Sequence, residues 1–468
     1  MNVFELKPNQ ELRFQVGDEP VKLELRRGLA EVYGTEILIN RAYNFPRNSR
    51  AAVFTYQGAT VEVTGAPLKC HVGQKCDYMT FYLNIHGELE KMRAEAESLS
   101  DQVRFSSITN DEPSGSQRQQ TNDNPDSSPL IKPDISKTPI CLVCKPMYAR
   151  NVGKSTLCRI LLNYATRRGR APIFVDLDTD QSHIGLPGTI GALSIEEPID
   201  IETGFSLQSS MLMHFGHTSP AGDRALLYKQ LIENMAKNVH LKLEQDKKSY
   251  YSGVIINTGA WSDDSDYKLL VHACKEFKAN MVLVMDDEVL QDDLKKDLTD
   301  SAHPVNVLNV PKTVGIVTRV SESNVESRYL RIKEYFYGSP HESYSPMTSE
   351  IKFSFLKRLI YRIGNPLMLP DSLMPLGTKT QDNQIKISPY DCTGSDLLHH
   401  ILAISWCKID EVLKEPAVVL RTNIMGFICI TSVKADGDVV SILTPQKLPS
   451  PMDHVLLYSD VQYMDSLI

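Results

Sequence analysis

The run Val152-Gly153-Lys154-Ser155-Thr156 constrains the fold of this 468-residue chain more than any other stretch. A phosphate-binding loop reads G-x-x-x-x-G-K-[S/T] and works only between a strand and a helix. Backbone N–H groups wrap the phosphates, the lysine neutralises the outer ones, and the hydroxyl holds Mg²⁺. Ile140–Cys144 supplies the apolar strand-like run, and Leu157, Ile160, Leu161 and Ala165 recur at helical spacing behind the loop. The helix N-terminus then adds partial positive charge where an anion would sit. The front half of the loop departs from the pattern, because Tyr148 stands at the first Gly position. The sequence therefore predicts nucleotide binding and gives reason to doubt turnover.

A second half-site follows at a suitable distance. Ile173-Phe174-Val175-Asp176-Leu177-Asp178 is β-rich and ends in acid, with Gln181 just beyond. A carboxylate at the tip of the neighbouring strand is the other half of a P-loop phosphoryl-transfer site. Alternation puts Asp176 and Asp178 on one face, and Asp178 lies nearer the carboxyl edge, where open α/β sheets bind ligands. The competing reading makes both acids ordinary strand-end residues facing solvent.

The length exceeds one ordinary core, so several domains are expected. A net charge of −8 argues against coating nucleic acid wholesale, though it permits a local basic groove. No apolar run reaches membrane-spanning length and Met1–Gln10 lacks a signal-peptide pattern, so no membrane partner is expected. Nine scattered cysteines fit reduced thiols. Cys141 and Cys144 are predicted on opposite faces of one strand, and Cys70 and Cys76 lack a second ligand pair at zinc spacing.

The predicted class is α/β: a central P-loop NTPase domain with a mainly parallel sheet, a β-sandwich-like N-terminal domain and a small, mostly β C-terminal domain. Residues 1–99 carry short β-like runs at Glu11–Phe14, Val21–Leu25, Ala30–Val32, Ala51–Tyr56 and Thr60–Val63, then a helix over Glu88–Leu99. Residues 100–138, rich in Ser, Asn, Asp, Gln and Pro, read as a disordered linker. Residues 139–340 alternate apolar runs with helical stretches, and 341–468 return to β-like runs such as Gly426–Val433 and Val439–Leu443.

Several tetrapeptides carry a resemblance across all three domains: Glu11-Leu12-Arg13-Phe14, Tyr33-Gly34-Thr35-Glu36, Val53-Phe54-Thr55-Tyr56-Gln57-Gly58, the Lys154 loop with Leu162-Asn163-Tyr164, Leu186-Pro187-Gly188-Thr189, His214-Phe215-Gly216-His217, Ile256-Asn257-Thr258 with Trp261, Tyr335-Phe336-Tyr337-Gly338, and Leu369-Pro370-Asp371-Ser372. In this order the chain resembles the eukaryotic Clp-type polynucleotide 5′-hydroxyl kinases, subunits of the pre-mRNA cleavage and polyadenylation machinery. The resemblance implies ATP and Mg²⁺ as cofactors. Glu11 would contact the adenine, with Arg50 as a basic residue near the nucleotide. Asn151, Val152, Gly153, Lys154, Ser155 and Thr156 would cradle phosphate, and Ser155 would hold Mg²⁺. Asp178 would accept the proton of an RNA 5′-hydroxyl, Gln181 and Trp261 would meet the RNA, and Arg319, Arg328 and Arg331 would supply lid charge. Partners would be the other cleavage and polyadenylation subunits, RNA 5′ ends and the tRNA-splicing endonuclease, and the location the nucleus.

Departures from the family pattern set the expectation for activity. Lys145-Pro146-Met147 matches the start of the family loop with Lys for Gly, and an insertion of about three residues around Tyr148-Ala149-Arg150 follows. Asp180 replaces a Gly beside Gln181, adding negative charge near an anionic ligand, and Asn324 takes one lid-arginine position. One transition-state arginine is worth several powers of ten in rate. The leading expectation is an ATP-binding subunit with weak or lost kinase activity. An active RNA 5′-hydroxyl kinase is the alternative. A P-loop GTPase or ligase is disfavoured because the chain has no Asn-Lys-x-Asp motif.

Other polar residues carry weaker expectations. His399 and His400 sit on an apparent helix, pointing different ways. His214 and His217 are candidates for the cleft or for buried, hydrogen-bonded positions. Asp263, Asp264 and Asp266 read as a solvated loop, and Asp292–Asp297 as a mixed-charge helix surface.

Overall fold

The computed structural model describes residues 2–73, 75–101, 132–146, 152–205, 210–259, 264–299, 303–311, 321–339, 342–364, 385–434, 438–448 and 452–464, excepting the side chains of 264–265 and 321–323. Short strands with alternating apolar residues open the chain: β1 (Asn2–Leu6), β2 (Gln10–Gln15), β3 (Val21–Gly28), β4 (Glu31–Val32), β5 (Thr35–Glu36), β6 (Ala42–Phe45), β7 (Arg50–Thr55), β8 (Ala59–Thr64) and β9 (Lys69–Val72). They form two antiparallel sheets, ordered β1-β8-β3-β6 and β5-β4-β7-β2-β9. Val21, Leu23 and Leu25 alternate inward from β3 and meet Leu12, Phe14 and Val53 of the other sheet in one core, which makes the unit a sandwich.

Helix α1 (Asp77–Ser100) leaves the sandwich and starts well before the predicted Glu88. Tyr82, Ile85 and Leu89 pack it into a cluster shared with Leu157 and Leu161. Arg93, 1% exposed, donates from Nε to Ser252 O at 2.8 Å and pairs with Glu90, so the helix is fastened to the central domain. The linker expectation ran to residue 138, but its end belongs to the core: Ile135 is buried in a single turn whose cap is Asp134. Residues 102–131 of that expectation lie outside the described residues.

The central domain runs β10 (Ile140–Cys144), α2 (Lys154–Arg167), β11 (Ile173–Asp176), β12 (Thr189–Ser194), β13 (Met211–His214), α3 (Ala225–Gln245), α4 (Lys247–Ser252), β14 (Val254–Asn257), α5 (Asp264–Glu276), β15 (Met281–Met285), α6 (Glu288–Asp297), β16 (Asn306–Val310) and α7 (Ser321–Tyr337). The sheet order is β13-β12-β11-β14-β10-β15-β16, parallel from β11 to β16 with antiparallel β12 and β13 at one edge. Ile140, Leu142 and Cys144 face one core and Cys141 and Val143 the other, so the two cysteines point oppositely, as strand alternation predicts. Placing β14 between β10 and β11 brings the carboxyl ends of three strands beside the N-terminus of α2.

The last seven strands are β17 (Met347–Lys352), β18 (Ile360–Gly364), β19 (Lys386–Pro389), β20 (His400–Lys408), β21 (Ile424–Val433), β22 (Val439–Thr444) and β23 (His454–Gln462). They form one sheet, ordered β17-β22-β21-β20-β23-β18-β19. The helix expected at His399 and His400 is absent: His399 has φ +66° and His400 opens β20. Strand β23 docks on the edge of the central domain, where His217 Nδ1 meets Asp460 Oδ2 at 2.5 Å and His214 Nε2 meets Tyr458 O at 2.9 Å. Both histidines thus fasten two domains together. No described helix is long and apolar enough to cross a membrane.

Candidate nucleotide and acceptor site

Gly153 caps α2 at φ +92° and ψ +11°, a left-handed conformation that glycine adopts without a Cβ penalty. The backbone can therefore turn sharply into the helix and leave its first N–H groups facing outward. Val152 is buried, Ser155 half-buried and Thr156 exposed. Among the expected loop residues, Asn151 and the inserted Tyr148 lie outside the described residues, as do Trp261 and Arg319.

Lys154 is 7% exposed, and its ammonium is held from the next strand over. Nζ donates to Asn257 Oδ1 at 3.0 Å and to the carbonyl of Thr258, and it stands 3.9 Å from Asp178 Oδ2. Asn257 turns its amide the other way, giving Nδ2 to Asp176 Oδ1 at 2.9 Å. Asp176 is fully buried and also accepts from His183 N at 2.7 Å. Burial alone would raise its carboxyl, but the His183 and Asn257 hydrogen bonds outweigh that and hold it below the usual carboxylate range. Asp176 is therefore a fixed strut, and Asp178 is the acid presented at the edge. Asp178 Oδ1 accepts the N–H groups of Asp180 and Gln181, each at 3.1 Å, which shapes the turn after the strand.

Helix α7, where the lid arginines are expected, comes down on that turn. Arg328 Nη1 forms an ion pair with Asp180 Oδ1. Arg331 gives Nη2 to His183 O at 2.6 Å, Nε to Gly185 O at 3.3 Å and Nη1 to Glu334 at 2.8 Å, so it anchors the lid on backbone. Asn324, at a lid-arginine position, has a buried Oδ1 with no hydrogen-bond partner among the described residues. Glu326 accepts from Asn48 Nδ2 at 3.3 Å, and Tyr335 OH accepts from Phe427 N at 2.9 Å, so α7 touches the N-terminal and C-terminal domains as well.

The sandwich sits directly on α2. Asn163 Nδ2 donates to Tyr33 O at 2.8 Å, Arg167 pairs with Glu31 at 2.8 Å, and Tyr56 OH meets Tyr164 OH at 2.9 Å. This docking places the two expected nucleotide contacts of the first domain differently. Glu11 is 1% exposed, with its carboxylate taken by Arg13 and Tyr78. Burial and that carboxylate keep the Tyr78 phenol protonated. Arg50 lies four rungs along the same ladder, since Glu11 pairs with Phe54 and Gln15 with Arg50. Their backbones are thus about 13 Å apart along the strand direction, on neighbouring strands.

Sequence reasoning weighed Asp176 only as the lesser candidate beside Asp178 and gave no role to Asn257 or His183, and these three together hold the lysine and the acid. A polar residue ending the apolar run Val254–Ile256 was the available signal. It also placed Asp266 in a solvated loop, whereas Asp266 is fully buried in the first turn of α5. Among the described residues no group of three or more His, Cys, Asp or Glu is arranged to hold a metal. The Ser155 hydroxyl at the helix start and the Asp178 carboxylate are hard oxygen donors, the set that suits Mg²⁺ when phosphates and water complete its shell.

Comparison with known proteins covers all three domains. Residues 5–96 match the family described as the N-terminal beta-sandwich domain of polyadenylation factor. Residues 149–338 match the mRNA cleavage and polyadenylation factor CLP1 P-loop, and residues 344–465 the pre-mRNA cleavage complex II protein Clp1. The chain is 39% identical over 465 residues to a protein CLP1 homolog of Culex quinquefasciatus, covering 99% of this chain and 97% of that one. It is 40% identical over 463 residues to the polyribonucleotide 5′-hydroxyl-kinase Clp1 of Xenopus tropicalis, covering 99% and 94%. Its fold is that of Clp1p in a solved Clp1p–Pcf11p complex, with TM-score 0.75, 20% identity and coverage of 99% and 98%. A second Clp1p–Pcf11p structure, described as explaining ATP loss in a point mutant, matches with TM-score 0.74 at 20% identity over 99% of each chain.

Proposed function

The chain belongs to the Clp1 family of pre-mRNA cleavage factors, with polynucleotide 5′-hydroxyl kinase descent, and from that premise we propose that it is an ATP-binding subunit of the 3′-end cleavage and polyadenylation complex whose kinase activity is weak or lost. Lys154 takes the outer phosphates of ATP, leaving Asn257 and the Thr258 carbonyl as its support. Amides at the start of α2 take the remaining phosphate oxygens. Ser155 holds Mg²⁺, which supplies further charge neutralisation when bound.

One observation carries the reading of poor turnover: Arg328 is committed to Asp180. Charge on the transferring phosphoryl group needs a cation placed there in advance, and one such arginine is worth about 10³–10⁵ in rate. Arg331 is bound to backbone carbonyls, and position 324 is Asn. On this reading the protein is nuclear and works through the other subunits of the complex. Labelling a 5′-hydroxyl oligoribonucleotide with γ-labelled ATP tests it. Transfer near that of a Lys154→Ala control is expected, and steady transfer well above that control contradicts the reading.

The 3.9 Å approach of Asp178 to Lys154 favours the alternative, an active RNA 5′-hydroxyl kinase. There the 5′-oxygen bonds to the γ-phosphorus as the bond to the β,γ-bridging oxygen breaks. Asp178 takes the hydroxyl proton, and ADP carries away the bridging oxygen with its electron pair. Gln181 and Trp261 would hold the RNA end, Arg319 would add lid charge, and the tRNA-splicing endonuclease would be a natural partner for this reading.

A further inference from the structure

We propose that Asp180 is a positioning residue that latches the lid: its carboxylate holds the Arg328 guanidinium on the turn after Asp178 and so withholds it from the γ-phosphate. The inference rests on the nucleotide-site reading and adds what controls the lid of that site.

The geometry is specific. Asp180 N–H is pinned to Asp178 Oδ1 at 3.1 Å, so the carboxylate of Asp180 is carried on the same tight turn as the acid facing Lys154. Arg328 makes its ion pair there, 148 positions away in sequence, and Asp180 is its acidic partner among the described residues. Both side chains are about one-quarter exposed, 26% and 28%, so the pair is neither buried nor fully solvated. Among the described residues the lid is also tied by Arg331 to backbone carbonyls, by Asn48 to Glu326, by Phe427 N to Tyr335 OH and by Tyr329 stacked on Tyr463. Among the described residues, Arg328 is therefore the α7 guanidinium held by a carboxylate from outside the helix, since the acidic partner of Arg331, Glu334, lies on α7 itself. A γ-phosphate competes for that guanidinium with a carboxylate already in place, whereas ADP presents no γ-phosphate to compete. Asp180 consequently lowers the preference of the site for ATP over ADP.

The test uses the full chain and isothermal titration with ATP and with ADP, each with Mg²⁺, in wild type, Asp180→Asn, Asp180→Ala, and Asp180→Asn combined with Arg328→Ala. The readout is the ratio of the ADP to the ATP dissociation constant, which a general change in stability does not move. Both Asp180 variants are expected to raise the ratio by roughly tenfold or more, the value of a charge-assisted contact to phosphate. Adding Arg328→Ala is expected to cancel that gain. A gain that survives Arg328→Ala means Asp180 acts only by repelling phosphate, and overturns the latch. An unchanged ratio with intact binding overturns the latch and leaves the nucleotide site standing. No binding of either nucleotide overturns both. Hydrogen exchange on α7 gives a second readout in the same variants: faster exchange over residues 324–331 in Asp180→Asn supports the latch, and unchanged exchange contradicts it.

Discussion

Lys154 Nζ donates to Asn257 Oδ1 at 3.0 Å, and the amide of that same Asn257 bonds Asp176 at 2.9 Å. The helix-opening lysine is thus held by β14, and β14 is in turn tied to β11. Strand order alone brings this about, because β14 lies between the strand before the loop and the strand bearing the acids. The loop lysine and the edge acid Asp178 are parts of one framework braced from beneath by two residues that carry no phosphate contact.

Asn257→Ala removes both halves of that brace. It leaves the Asp176 carboxylate short of a donor in a fully buried position, at a cost of about 1–3 kcal/mol in folding stability. Chemical denaturation checks this through the unfolding midpoint. Affinity for ATP is expected to fall as well, because Lys154 loses one of its two supports.

Gly34→Ala tests how the sandwich sits on α2. Gly34 has φ +83°, and a Cβ there would lie 3.1 Å from Ile160 Cα, backbone that has no freedom to retreat. Strain and overpacking together are expected to cost about 1–3 kcal/mol. A lowered thermal midpoint with easier proteolytic separation of residues 1–99 is the expected result.

Acid should loosen the fold in a defined window. Burial holds His86 and His214 down to about 4, against an ordinary value of 6.5. The unfolded chain takes up these protons near pH 6.5 and the folded chain only near 4. Stability is therefore full above 6.5 and falls as pH drops through that range, by on the order of 1.4 kcal/mol per pH unit for each histidine. Denaturation midpoints measured from pH 7.5 to 4.5 should show the decline. His214→Gln, which keeps a donor for Tyr458 O, should remove part of the slope.

Much of the architecture was legible because burial writes a period into the sequence. Val21, Leu23 and Leu25 announce β3 by alternation, and the all-apolar Ile140–Cys144 announces a strand buried on both faces. Strand β9, Lys69–Val72, was missed because it is a mostly exposed edge that pairs with β2 and touches the core through Cys70, so no apolar alternation marks it. The first turns of α1 were missed because Tyr78, Phe81 and Tyr82 are aromatic residues with no strong helix preference, and they are fixed by packing on the central domain. Within the site, Lys154 and Asp178 were found from local pattern. The bracing by Asn257 and the pairing of Asp180 with Arg328 depend on strand order and on contacts between distant segments, which no local pattern encodes.

The central claim is that the Lys154 loop still binds ATP although its front half departs from the usual glycine pattern. Calorimetric titration of the full chain with ATP and Mg²⁺, beside Lys154→Ala, tests it most directly. The account predicts saturable binding in the wild type, weakened by roughly ten- to hundredfold in the variant, the value of hydrogen bonds to a charged group. Absence of heat in the wild type at millimolar ATP, or equal affinity in both proteins, would contradict it.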